Sequence, residues 1–295
     1  MRYTLLNHPG SMPRRLIVCA DDFGGDLAVN EAVEAAHRDG ILTCASLIVA
    51  GPAAADAVRR ARRLPRLRVG LHLMLVEGDP VLAPEELGPL LRHDGRFDRN
   101  QVRAGLRYFF RPGMRRRLEA EIEAQFAAFR ATGLALDHVN AHKHMHVHPT
   151  IARLILEIGR TYGIRAVRLP AEPVAILRRA IPGERHRVPT FPPAVFALRR
   201  RLSRAGLVTN DHTFGMAWSG NMVEERVLAL LPHLPAGITE MYFHPATRET
   251  RALVAAMPTY RFVDELRTLL SAGVRRRIVE LGISLAAYGD LMPAR

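Results

Sequence analysis

The feature that most constrains the fold is a repeated alternation of short apolar runs with helix-patterned stretches. "RLIVCADDFG" (residues 15–24) is an apolar run closed by two acids and a glycine, the pattern of a buried parallel strand that ends in a functional loop. "DLAVNEAVEAAHRDG" (26–40) follows with helical spacing, Asp26 as N-cap and Gly40 as stop. The rhythm repeats with "LTCASLIVAG" (42–51) as strand, "PAAADAVRRARRL" (52–64) as helix, and "LRVGLHLML" (67–75) as strand. Further along, "LALDHVNAH" (134–142), "IRAVRLP" (164–170), "GITEMYFHPA" (237–246) and "ISLAAYG" (283–289) read as strands. Helices are expected at 102–131 with a break near Pro112–Gly113, at 149–163, at 222–234 and around 262–281. Strands alternating with helices imply a parallel sheet, and about seven such strands predict a closed or nearly closed β/α barrel; a doubly wound open sheet is the alternative.

No internal repeat or linker divides the chain, so one domain is expected over residues 15–291, preceded by a loose lead-in at 1–14 in which Met12 is a second candidate start. The opening residues lack the apolar core of a secretory signal, and no uninterrupted apolar run of about 18 residues suggests a membrane span. A cytoplasmic protein follows, in which Cys19 and Cys44 are small buried residues. Segment 171–206 is basic and broken by prolines, with the amphipathic stretch "PAVFALRRRLSRAG". It is expected to project as a cap, either packed on the barrel or resting on anionic lipid. The net charge of +13 comes from arginine, since Lys143 is the only lysine. Arginine in excess suits phosphates, carboxylates and anionic membranes, and codon bias accounts for the preference equally well.

In folds of this kind ligands gather at the carboxyl ends of the strands. Polar residues stand at four such ends: Asp21 and Asp22, His72, the histidines from 138 to 148, and His244. Two aspartates closing an apolar strand are costly without a cation or donors, and the turn at Gly24–Gly25 would bring both near one centre. His72, between leucines, reads as a satisfied core residue or as a ligand. In "DHVNAHKHMHVHP" (137–149), His138, Asn140 and His142 share a strand face with His142 at the mouth. The i,i+4 spacing of His146 from His142 makes it the rival ligand; His138 and Asn140 are candidates for ligand or supporting roles. His244 is expected on the side of the barrel opposite the first strands, reaching across as a general acid.

Taken together, "ADDFG", "VGLHLMLVEG", "DHVNAHKHMHVHP", "VRLP", "TNDHTFGMAWSG" and "EMYFHPA" stand in the order found in the YdjC-like carbohydrate deacetylases, and most resemble the hopanoid-biosynthesis branch. The resemblance implies a β/α barrel related to the polysaccharide deacetylase and glycoside hydrolase superfamily, and removal of N-acetyl groups from amino sugars with one divalent metal ion, Zn, Mg, Mn or Co. By motif, Asp22, His72 and His142 would be the ligands, Asp21 the base and His244 the acid. Arg168 would help hold the oxyanion, and Asp211 and Trp218 would contact substrate. The branch implies an N-acetylglucosaminyl hopanoid lipid and peripheral contact with the inner membrane surface. Asn140 and Ala141 depart from the family's aspartate and serine, and Gly25 from its frequent leucine. Two other readings remain: a metal-dependent phosphoesterase with similar ligands, and a basic nucleic-acid-binding protein. The latter is disfavoured by 6% aromatic content and arginines spread over many helices.

Overall fold

A computed structural model describes residues 13–186 and 192–292. Seven strands run in chain order as β1 Arg14–Phe23, β2 Cys44–Leu47, β3 Arg68–Leu73, β4 Leu136–Ala141, β5 His212–Phe214, β6 Gly237–Phe243 and β7 Ser284–Ala286. All pairings between them are parallel, in the order β4-β3-β2-β1-β6-β5, with β7 beside the first half of β1. The sheet curls into a barrel-like wall. Between its edges, β4 and β5, residues 164–170 make only isolated bridges, Val139 to Val167 and Ala166 to Val208. The expected strand there is thus reduced to a bridge across the gap, while β5, too short to register as an apolar run, takes its place in the count. Residues 1–12 of the expected lead-in lie outside the described residues, and its last two belong to the sheet: Arg14 opens β1 and the Pro13 carbonyl accepts from Gly237 N–H at 3.2 Å.

The helices wrap this wall: α1 Leu27–Asp39, α2 Ala54–Arg62, α3 Pro84–Leu87, α4 Gln101–Phe110, α5 Pro112–Ala131, α6 Pro149–Gly159, α7 Val174–Ala180, α8 Pro192–Arg204, α9 Glu224–Leu230, α10 Arg251–Ala256, α11 Phe262–Leu270 and α12 Ala272–Glu280. Asp26 caps α1 by accepting from Ala28 N–H at 2.8 Å, as the sequence predicts. The break between α4 and α5 falls at Arg111, because proline is tolerated at a helix start and not inside it. In the 171–206 segment, of which 187–191 lie outside the described residues, Leu177, Val195, Leu198 and Leu202 are buried and α8 packs on α6. Phe196 of the same helix stays 61% exposed.

Strand alternation sorts the interior. Leu16, Val18 and Ala20 of β1 face the helices and belong to the main apolar core, whereas Ile17 and Cys19 point into the barrel with Cys44, Tyr242 and Tyr288. Above that layer the same faces carry Asp21, Ser46, His72 and Asn140, so the barrel's upper half is polar. Gly70 of β3 gives the room this crowding needs: a Cβ there would lie 2.6 Å from the His138 ring. Gly70→Ala is expected to cost about 1–3 kcal/mol by overpacking. A urea midpoint equal to that of the wild-type protein would contradict this packing.

Candidate active site

Asp21 and Asp22 both reach the mouth because β1 is irregular where they sit. The register against β2 shifts between Ala20 and Phe23, and Asp22 adopts a left-handed backbone with φ 61°. The bulge within the strand, rather than the turn at Gly24–Gly25, brings the second carboxylate round. Among the described residues only four non-glycines have positive φ: Asp22, Glu77 (62°), Lys143 (50°) and His144 (55°). All four line cavities at the mouth, so backbone strain is concentrated where the polar groups converge.

Asp22, His72 and His142 offer ligand atoms within 4.8 Å of one another. Asp22 Oδ1 lies 3.3 Å from His72 Nε2 and 3.5 Å from His142 Nδ1. Asp22 Oδ1 and His72 Nε2 are buried without a hydrogen-bond partner, atoms that a cation would satisfy. The other nitrogen of His72, Nδ1, is 2.7 Å from Asn140 Oδ1. That acceptor fixes the tautomer with the proton on Nδ1 and leaves the Nε2 lone pair facing Asp22. A mixed carboxylate and imidazole set of this kind fits a divalent ion. Asn140 is thus placed to orient His72, and its amide also donates to Asp21 Oδ1 and Ser46 Oγ, both at 3.2 Å.

Burial by itself would lower the pKa of His142, but Asp22 and Glu77 on either side raise it to about 9. Glu77 is held down at about 2 against burial by His142 and Lys143, with Lys143 Nζ 2.5 Å from its Oε1. Asp22, which burial would raise, is kept well below the usual carboxylate range by His142 and His72.

Asp21 sits in a buried ion triad. Arg168 gives it two hydrogen bonds, Nη1 to Oδ2 at 2.6 Å and Nη2 to Oδ1 at 2.8 Å. The same guanidinium binds Glu240 through Nε at 2.9 Å and Nη2 at 2.8 Å, and lies over the Tyr242 ring. Ser46 Oγ adds a bond of 2.7 Å to Asp21 Oδ1. Burial would raise the Asp21 carboxyl, but the guanidinium overrides it and holds the group far below its ordinary range. Arg168 is fully buried, so it positions Asp21 and does not face a substrate.

A cavity of about 400 Å³ opens over these groups, lined by Asp21, His72, His142, His144, Tyr242 and His244, with Glu77, Ser219 and Tyr260 on its walls. His244 directly follows β6, which pairs with β1, so it is a neighbour of the aspartates and not across the barrel from them. The crossover order, invisible to a reading that assumes sequential strands, moves it there. Its Nδ1 has no partner, its ring lies 5.6 Å from Tyr242 and 5.0 Å from Tyr260, and burial lowers its pKa.

The remaining candidates fall elsewhere. Lys143 and His144 break the turn after β4, so His142 and His146 do not share a helical face; His146 Nε2–H instead donates to the Arg168 carbonyl at 3.1 Å. His138 lies deeper, with Nδ1 2.9 Å from Asp137 and Nε2 3.8 Å from Cys19 Sγ. Cys19, Cys44 and His138 form a second cluster of donors, but burial pushes both thiols up and keeps them in the weakly ligating protonated form. Asp211 is at the opposite end of the sheet, accepting from Ile238 N–H at 2.9 Å beside the start of β6, and so cannot meet a substrate at the strand ends. Trp218 is buried with its Nε1–H on Glu184 at 3.2 Å and Arg226 over its ring. Sequence reasoning missed Glu77, Ser46, Glu240, Tyr242 and Tyr260. The buried glutamate in "GITEMYF" was the one legible signal among them, since an acid inside an apolar strand requires a partner.

The fold and donor set define a parallel barrel-like protein with one carboxylate and two imidazoles converging at the strand ends. The chain belongs to the YdjC-like protein family, which matches residues 15–280. It is similar to proteins named carbohydrate deacetylase from Geobacillus stearothermophilus (29% identical, covering 95% of this chain and 98% of that one) and Brevibacillus brevis (27%, covering 94% and 99%). The Mus musculus protein of the same name is 32% identical, covering 95% of this chain and 96% of its own. A crystal structure from Enterococcus faecalis, described as a candidate cellobiose-phosphate cleavage protein, shares the fold with a TM-score of 0.75 at 23% identity, covering 95% of this chain and all of that one.

Removing Arg168 would leave Asp21 and Glu240 buried and uncompensated. Arg168→Met is expected to cost about 3–5 kcal/mol, with part recovered in Arg168→Met/Glu240→Gln. Additive effects of the two substitutions on the urea midpoint would mean that the triad is not coupled.

Proposed function

We propose that this protein is a hydrolase that removes the acetyl group from an N-acetylated amino sugar, using a divalent ion held by Asp22, His72 and His142. The observation that carries the reading is the pair of orphaned, buried ligand atoms, Asp22 Oδ1 and His72 Nε2, facing His142 at the floor of the cavity. Full-length similarity to several proteins named carbohydrate deacetylase supports the reaction class. When bound, such an ion supplies Lewis-acid polarisation of the amide carbonyl and lowers the pKa of water.

The chain's own residues supply the rest. Asp21, ionised at any working pH, accepts a hydrogen bond from the attacking water. The Arg168 clamp makes Asp21 a weak base, so its contribution is chiefly orientation of the water's lone pair towards the carbonyl carbon. His244, with Nδ1 unpartnered, lines the same cavity; it takes up the proton that the attacking water loses and, as imidazolium, gives it to the nitrogen as the C–N bond breaks. The products are acetate and a free amino sugar.

The sugar is taken to be N-acetylglucosamine carried on a hopanoid-type lipid. The order of motifs supports this, as does a second cavity of about 230 Å³ that shares Glu77 and His142 with the first, holds Asp22, and has Val29, Ile48, Met74, Leu253 and Met257 on its walls beside the charged Asp26, Asp79 and Arg96. The apolar part of that wall, next to the reacting centre, suits an apolar aglycone.

Acetate release from N-acetylglucosaminyl hopanoid and from N,N′-diacetylchitobiose, with and without chelator, tests the reaction. His142→Ala is expected to lose the metal and at least about 100-fold in turnover while keeping its circular dichroism. A metal-replete, active His142→Ala protein would sink the centre. The role of His244 separates by leaving group. His244→Ala should lose about 100-fold or more on an N-acetyl sugar and far less on 4-nitrophenyl acetate, whose phenolate needs no protonation. Equal losses on both substrates would rule out its role as acid.

A further inference from the structure

Helix α4 carries two apolar stripes. Ala104 and Tyr108 face inward, the Tyr108 hydroxyl donating to the Leu75 carbonyl at 2.8 Å. Val102, Leu106, Phe109 and Phe110 lie on the opposite side, with 72%, 55%, 57% and 69% of their surface exposed. The larger stripe is the outward one, the reverse of what burial in a soluble core requires.

Where this stripe ends, a cleft of about 330 Å³ opens between α4, α5, α6 and α8, lined by Phe109 and by Arg111, Arg115, Arg153 and Arg201. Glu157 is the acid that pairs within the group, 3.7 Å from Arg153 and 4.0 Å from Arg115, and Arg201 donates to the Pro149 carbonyl at 2.9 Å. Three positive charges remain in excess. The other end of α4 touches the catalytic mouth: Gln101 lines the cavity and its Nε2 donates to the Lys143 carbonyl at 2.7 Å.

We propose that this face docks the protein on a bilayer containing anionic phospholipid, with the outward stripe of α4 entering the acyl boundary and the four-arginine cleft taking lipid phosphates. An exposed Phe and Leu stripe flanked by arginine is the composition of helices that lie in a membrane interface. A second copy of the chain suits the surface less well, because self-pairing would bring two arginine clefts together. The docking stands on the surface alone; its use, presenting a lipid-borne sugar to the mouth beside Gln101, rests on the function proposed above.

Sedimentation with vesicles tests it, using pure phosphatidylcholine against phosphatidylcholine with phosphatidylglycerol and the full-length protein. Binding to the anionic vesicles is expected to be at least about tenfold tighter, and to weaken about fivefold for each arginine lost in Arg111→Ala and Arg115→Ala. Phe109→Ser/Phe110→Ser should lose about tenfold or more, with an unchanged melting temperature and unchanged turnover of soluble diacetylchitobiose. The proposal is overturned by absence of binding, by equal binding of the phenylalanine variant, by displacement with excess inorganic phosphate, or by a dimer in solution that the same variant dissolves. Vesicle binding by a protein that releases acetate from neither diacetylchitobiose nor N-acetylglucosaminyl hopanoid would support the docking face and sink the deacetylase reading.

Discussion

The contact on which the upper barrel depends is the Arg168 guanidinium wedged between Asp21 and Glu240. Each of the three would be costly to bury alone, and the planar fork of arginine meets both carboxylates through multiple directed bonds. Glu240 passes the connection to the Tyr288 hydroxyl at 2.8 Å, and the same hydroxyl oxygen lies 2.8 Å from Asn210 Oδ1. Asp21 passes it to Ser46 and Asn140, and Asn140 to His72. A residue outside the mouth therefore sets the direction of a carboxylate and, through one amide, the tautomer of an imidazole. Lysine at 168 could not do this, since a single ammonium has no fork to span two carboxylates.

This wiring explains the division of labour between adjacent aspartates. Asp21 faces a permanent cation and stays ionised and fixed. Asp22, lifted round by the bulge, faces only imidazoles, so its Oδ1 is available to whatever positive charge the site holds. Identical side chains one residue apart thus differ in chemistry because strand alternation sends one inward and a left-handed residue redirects the other.

Much of this was legible beforehand. Strands β1 to β4, β6 and β7 and most helices follow from apolar runs, caps and prolines, whereas the residues alone leave His72 divided between core and ligand and His146 a rival of His142, and only the family motifs single out Asp22, His72 and His142. The failures have common causes. A strand of three residues such as β5 carries too little pattern to register, and strand order cannot be read from spacing, which is why His244 was expected across the barrel. Asp211 and Trp218 came from motif likeness without a face assignment, and β5 and its neighbours send them to the far end and into the core. Glu77 lies in an irregular insertion, where polarity carries no directional information; only its left-handed backbone and its bond to Lys143 reveal it.

The outward stripe of α4 raises the question of why the chain tolerates it. Four large apolar side chains on one exposed face would invite association, and a soluble enzyme gains nothing by keeping them. Arginines close by counter that tendency, because two copies of a +13 chain repel each other at the surface that would pair. The same charges attract an anionic surface. Patch and charge together therefore discourage one partner and favour another, which makes the combination more specific than either feature alone. Under the docking proposed above, the arginine excess, which composition leaves divided between codon bias and function, gains at this one cleft a location and a chemical partner.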